Sequence, residues 1–200
     1  MATEHVLNEY YNVGHFNSPL LIGYMMKMIR ELKPLTLEEW KMWYLENVHD
    51  EFFIEQIAMA MCDSIPSDYD VSFEECLDYV CDVMFRRTFQ GYNKEHQALN
   101  VLRKLISPEV KEAPEDWDTQ YFIDFYIQNK DGHLIGIQLK PETFYYGSYY
   151  NVVNIDGKMA AFRVEYDADI FVLRYSGKNE DTIEFVNPDV IEEIRECVNL

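Results

Sequence analysis

Hydrophobic positions along this chain recur at helical spacing up to about residue 106 and alternate with a period of two from Thr119 onward, which divides the sequence into a helical half and a mixed half. Ser18-Pro19 precedes an apolar run from Leu20 to Leu32 that Pro34 stops. Thr36 with Glu39, and Ser72 with Glu75, have the spacing of capping boxes, in which the hydroxyl accepts from a backbone N–H and the Glu reaches back. The pattern predicts helices over residues 19–32, 37–47, 50–64 and 73–89. Gly91 reads as a stop and Asn93 as the cap of a fifth helix reaching about Ile106. In that helix Leu99, Leu102 and Ile106 share a face with Glu95, which therefore points inward. His96 falls with Asn100 and Arg103 on a face turned to solvent or a ligand. Residues 107–118, rich in acids and holding two prolines, read as a connecting loop.

From Thr119 the alternation places Tyr121, Ile123, Phe125 and Ile127 on one side of a strand, and Phe122, Asp124 and Tyr126 on the other. Asn129-Lys130-Asp131-Gly132 is a hairpin turn, and residues 133–140 return as the partner strand, ending at Pro141. A helix over Ile155 to Glu165, a buried strand over Asp169 to Tyr175, a short edge strand over Thr182 to Val186 and a terminal helix over Pro188 to Val198 complete the expectation. Without an internal repeat or linker-like tract, 200 residues read as a single domain, with a helical N-terminal region (1–90) and an α/β core (91–200).

The apolar share of 48% excludes disorder as a description of the chain. No stretch approaches the roughly 18 uncharged residues of a membrane helix, and the N-terminus lacks a basic-then-apolar leader pattern, so a cytoplasmic location is expected. Cys62, Cys76, Cys81 and Cys197 match no zinc-ligand spacing and read as reduced thiols. Met25, Met26, Met28, Met59 and Met61 read as core filler. His15 has no partner at catalytic spacing and reads as structural or surface, and the tyrosine-rich stretch 144–150 reads as a loop packed on the sheet. A formal charge of −19 argues against partners that draw affinity from Lys and Arg, yet Arg86, Arg87, Lys94, Arg103, Lys104, Lys140 and Lys158 are available for a local basic surface.

Gln138 and Lys140 are two apart on one strand and project from one face, and Asp124 lies on the antiparallel neighbour, so the three side chains can meet at a sheet end. A carboxylate and an amide oxygen, together with a backbone carbonyl such as that of Leu139, make a donor set for a hard divalent cation, with Lys140 beside it. The spacing also fits a plainer arrangement, in which Gln138 and Lys140 are solvent-facing residues at a strand end. Glu95 likewise reads either as a further acid of this centre or as a buried partner of a nearby Lys or Arg.

The stretches Phe122 to Ile127 (FIDFYI) and Ile135 to Phe144 (IGIQLKPETF) resemble the core of the PD-(D/E)xK nucleases in a form with Gln in the acidic position. Ser18 to Gly23 (SPLLIG), Glu38 to Tyr44 (EEWKMWY) and Arg87 to Gln97 (RTFQGYNKEHQ) extend the resemblance to the MjaI-type restriction endonuclease family over most of the chain. The resemblance implies a restriction-endonuclease-like mixed sheet flanked by helices. It also implies magnesium-dependent, sequence-specific hydrolysis of double-stranded DNA, leaving a 5′-phosphate and a 3′-hydroxyl. Asp124, Gln138 and Leu139 would hold the metal, Lys140 would position the attacking water, and Glu95 would supply a further acid. Arg86, Arg87, Lys94, Arg103 and Lys158 would contact DNA. A homodimer is expected for a palindromic target, for which the family points to CTAG, with a DNA methyltransferase as a genomic neighbour and a prokaryotic or phage setting. Two alternatives stay open: a nuclease of the same fold without strict sequence specificity, in repair or phage defence, and a non-enzymatic acidic protein that mimics DNA.

Overall fold

Side-chain caps set most of the helix starts in the first part of the chain. Ser18, Thr36, Asp50 and Ser72 each accept a hydrogen bond from a backbone N–H of the first turn that follows, and at Ser72 the Glu75 carboxylate completes the box. The computed structural model describes residues 2–146, 149–176 and 182–199, with the side chains at 2, 145–146 and 149–154 excepted. The expectation for the tyrosine-rich stretch beyond Phe144 lies outside the described side chains. The chain divides into two compact units, Met1–Tyr92 and Asn93–Leu200, and the boundary falls within a helix.

The first unit contains α1 (Ala2–Val13), α2 (Pro19–Ile22), α3 (Met25–Leu32), α4 (Leu37–Asn47), α5 (Glu51–Ser64), α6 (Phe73–Cys81), a π-helical turn (Asp82–Arg87) and the start of α7 (Thr88–Leu105). Its core is aromatic and aliphatic: Trp40, Tyr44, Ile29, Met61, Cys76, Val80 and Met84 are buried together. Their polar atoms are matched, the Trp40 indole N–H donating to the Met84 carbonyl at 3.4 Å and the Tyr44 hydroxyl to that of Ile22 at 2.9 Å.

The structure departs from several of these expectations. The predicted helix over 19–32 is two helices, broken at Gly23, whose φ of +79° belongs to no helix and favours glycine. A Cβ there would meet Met28 Cε at 2.8 Å. α1 was not foreseen. The predicted stop at Gly91 and cap at Asn93 do not exist, because α7 continues through both; glycine ends a helix when it turns left-handed, and inside one it costs only about 1 kcal/mol. Met59 is exposed rather than core.

The second unit is built on a four-stranded sheet in the order β1 (Lys111–Glu112), β2 (Phe125–Gln128), β3 (Leu134–Pro141), β4 (Asp169–Tyr175). The first two pairings are antiparallel and β3 with β4 is parallel, so the sheet is mixed. The β2–β3 turn closes as expected: Gly132, at φ +85°, donates to the Asn129 carbonyl at 3.0 Å. The crossover from β3 to β4 runs through a short 3-10 turn (Glu142–Tyr146) and α9 (Tyr149–Tyr166), an earlier start than the predicted residue 155.

Alternation along β3 gives the sheet two covered faces. Ile135, Ile137 and Leu139 pack with Leu173, with Ala98, Leu99 and Leu102 of α7, and with Ile191 and Ile194 of α10 (Asp189–Asn199). Leu134 and Ile170 on the other face pack with Ile155, Met159 and Phe162 of α9. Gly136 admits this helix closely, since a Cβ there would lie 3.5 Å from the Phe162 ring. The unit is therefore a three-layer α/β arrangement.

The strand expected from Thr119 begins only at Phe125, because Glu115–Tyr121 forms α8, capped by Phe122 in the left-handed region at φ +57°. The expected edge strand over 182–186 reduces to an isolated antiparallel bridge between Tyr175 and Phe185.

Candidate active site

Asp124 stands one residue before β2, with its backbone already in the ladder. Its N–H donates to the Ile137 carbonyl at 3.0 Å and its carbonyl accepts from Ala113 at 2.8 Å. Because Phe125 pairs with Ile137, Asp124 lies across from Gln138, on the face that also carries Lys140. The Asp124 Oδ2 atom accepts from the Leu139 backbone N–H at 2.6 Å and from the Gln138 amide nitrogen. That nitrogen also donates to the Leu139 carbonyl at 3.2 Å. Gln138 is 1% exposed, and its Oε1 is buried with no hydrogen-bond partner among the described residues.

Lys140 is half-buried on the same face as Gln138. Its ammonium lies 5.5 Å from the Phe122 ring centre and 5.1 Å from that of Phe144. Lys158 approaches the Phe122 ring from α9, at 4.5 Å.

Burial and neighbouring acids set the electrostatics of the centre. Burial pushes the Asp124 carboxyl well above its ordinary range, and the charges of Glu95 and Asp118 push it further; Lys140 and the Leu139 N–H act the other way. Tyr175, at the end of β4, is raised by burial and by the same two carboxylates, Glu95 and Asp124. Thus Glu95, half-buried on α7, acts on Asp124 electrostatically.

Asp118 and Tyr175 were missed by sequence reasoning. Residues 107–118 read as a loop, which hid Asp118 on α8, and Tyr175 ends a strand that carries no recognisable motif.

Among the described residues no three His, Cys, Asp or Glu side chains gather as a metal-ligand group. A cation at this centre would therefore draw on neutral oxygens as well as on Asp124. The Gln138 amide oxygen, buried without a partner, and the Leu139 carbonyl are of that kind. Burial lifts Asp124 most, and the further rise from the Glu95 and Asp118 charges is what a bound cation would relieve. An oxygen donor set lacking thiolate and imidazole suits a hard ion such as magnesium, and Asp124 and the Leu139 carbonyl would hold it together with Gln138 once its amide is turned over to present the oxygen in place of the nitrogen.

The cations expected at a DNA surface are placed unequally. Lys94 is 7% exposed, not on the surface, and its ammonium donates to the Thr182 carbonyl at 2.9 Å and to Gln97 at 3.3 Å. It shares a helical stripe with the buried Ala98 and Leu102, a four-residue spacing already visible in the sequence. Arg103 is exposed and donates to the Val110 carbonyl at 2.9 Å. Arg86 and Arg87 belong to the first unit and both hydrogen-bond to Asp82, Arg87 also reaching Glu4 at 3.2 Å. His96 is exposed, beside Asn100.

No helix among the described residues is long and apolar enough to cross a membrane. No curated protein and no solved structure matches the chain. A family model does match, that of the MjaI restriction endonuclease, over residues 4–185. That match takes in α1 through β4 and the whole constellation around Asp124, and by it this chain belongs to the MjaI restriction endonuclease family.

Proposed function

We propose that this protein is a type II restriction endonuclease that hydrolyses duplex DNA at a short palindrome in a magnesium-dependent reaction, leaving a 5′-phosphate and a 3′-hydroxyl. The observation that carries the reading is the convergence of Asp124, Gln138, Leu139 and Lys140 at one sheet end in a chain of this family. The proposed fold is the restriction-endonuclease-like one, for which a mixed sheet between helical layers is the expected core.

In this reading Asp124, Gln138 and the Leu139 carbonyl hold the ion, and Glu95 adds negative charge that favours its binding. Magnesium, when bound, supplies Lewis-acid polarisation of the phosphate. Lys140, set against two aromatic rings, orients the attacking water and offsets charge that builds on the phosphate oxygens as the bond to water forms. The Phe122 and Phe144 rings limit the freedom of that ammonium, which lowers the entropy lost in positioning it. Two copies related by a two-fold axis would cut both strands of a palindrome. A methyltransferase encoded nearby would protect host DNA.

The test is incubation of supercoiled plasmid with magnesium at low salt, comparing wild type with Asp124→Ala. Discrete fragments from the wild type alone are expected. Uniform nicking would point instead to a nuclease without strict sequence specificity, and an intact plasmid across salt and with either magnesium or manganese would overturn the reading.

A further inference from the structure

Lys140 and Lys158 sit against one ring, that of Phe122, at 5.5 and 4.5 Å from its centre. Neither ammonium has a hydrogen bond or a salt bridge to a carboxylate among the described residues, and Asp124 bears on Lys140 only as a nearby charge. Acids outnumber bases 36 to 17 in the chain, and Arg86, Arg87 and Arg195 are each held by a carboxylate. Two like charges gathered beside one ring repel each other, and an anion between them removes the repulsion. Phe122, the left-handed C-cap of α8 at φ +57°, stands two residues before Asp124.

We propose that Lys140 and Lys158, both set against the Phe122 ring, together form a two-ammonium site for a backbone phosphate of bound DNA, and that Lys158 is a positioning residue for the reaction. This deepens the reading of the chain as a DNA endonuclease and rests on it. Lys140 belongs to the strand motif; Lys158 comes from α9, in the crossover between β3 and β4, and no motif includes it. The phosphate it holds would lie next to the Asp124 centre, since both lysines share a ring with each other and Lys140 shares a sheet face with Gln138.

A purely structural role for Lys158 is the competing account, because its aliphatic stem can cover apolar surface near Ile155 and Met159. Lys158→Met keeps the stem and removes the charge, and Lys158→Arg restores the charge. Lys130→Gln, at the exposed β2–β3 turn, serves as a control for loss of any lysine. Two measurements are made: plasmid cleavage with magnesium, and anisotropy of a fluorescein-labelled duplex taken from a plasmid segment that the wild type cuts, with calcium in place of magnesium, over a range of salt. Lys158→Met is expected to lower kcat about tenfold or more with a smaller change in KM. It should also reduce the slope of log affinity against log salt by about 0.9, the signature of one lost phosphate contact. Lys158→Arg should recover most of both, and Lys130→Gln should change neither. If Lys158→Met cleaves and binds as the wild type does, the phosphate site is overturned while the endonuclease reading stands. If the wild type neither binds nor cuts duplex DNA, both are overturned.

Discussion

Gln138 occupies a position where its chemistry is decided by charge. It donates to Asp124 through nitrogen and leaves its oxygen buried and unmatched among the described residues, so the amide stabilises the carboxylate without adding a second negative group. Gln138→Glu would put two carboxylates in contact, with Glu95 as a third charge acting on Asp124. In EDTA the variant should unfold several degrees below the wild type, since about 1 kcal/mol moves the midpoint by roughly 2–4 °C for a chain of this size. Magnesium should then raise its midpoint more than it raises that of the wild type, because the added charge strengthens ion binding and only the folded state holds the site. Differential scanning calorimetry with and without magnesium measures both shifts; equal magnesium shifts in the two proteins would remove Gln138 from the ion site. At this scale much was legible. Asp124, Gln138 and Lys140 carry a motif, and hairpin register alone brings the first two together. Lys94, expected at a DNA surface, lies instead on a buried helical stripe, and Tyr175 joins the centre through a parallel pairing that no local pattern encodes.

The π-helical turn at Asp82–Arg87 offers a prediction at the scale of an element. It brings Arg86 and Arg87 to the same carboxylate. Burial works to raise Asp82, yet the hydrogen bonds and charges of the two arginines outweigh it and hold the carboxyl below its ordinary value. A carboxyl lowered in the folded state adds stability above its unfolded value, and that stability is lost as pH falls through the folded value. Asp82→Asn should therefore cost stability at neutral pH, and the difference from wild type should shrink below the ordinary Asp range. The arginines are 50% and 39% exposed, so solvent screening limits the loss to about 1 kcal/mol or less. Thermal melts at neutral pH and at the acid end measure it; a difference independent of pH would mean that packing, not the ion pairs, is responsible. Among elements, α4 and β4 match the expected bounds because their caps and apolar runs are strong signals. The breaks were less legible. A positive φ at Gly23 and the continuous passage from α6 into α7 depend on packing, and apolar residues at alternate positions from Tyr121 to Ile127 fit the end of a helix followed by a strand as well as one long strand.

At the scale of the whole molecule, a charge of −19 opposes both of the associations that the proposed function requires. Two copies repel each other, as does each copy and DNA, but salt acts on these differently. Added salt screens the repulsion between protomers, whereas it weakens phosphate contacts by lowering the gain from counterion release. Sedimentation across a salt series should show a species of twice 23.8 kDa gaining population as salt rises, while DNA affinity falls over the same range. A chain that stays monomeric throughout would argue against a symmetric dimer as the cutting form. The pairing of Arg86 and Arg87 with acids, and the burial of Lys94, add a consequence for how a target would be found. With a net charge of −19 repelling phosphates, affinity for arbitrary sequence should be low, and a protein that holds arbitrary DNA weakly does not slide far along it before letting go. Two targets on one plasmid should therefore be cut in separate encounters rather than in one visit. Such an enzyme samples a genome by repeated collision, spending most of its time in solution and little of it on DNA it should leave intact.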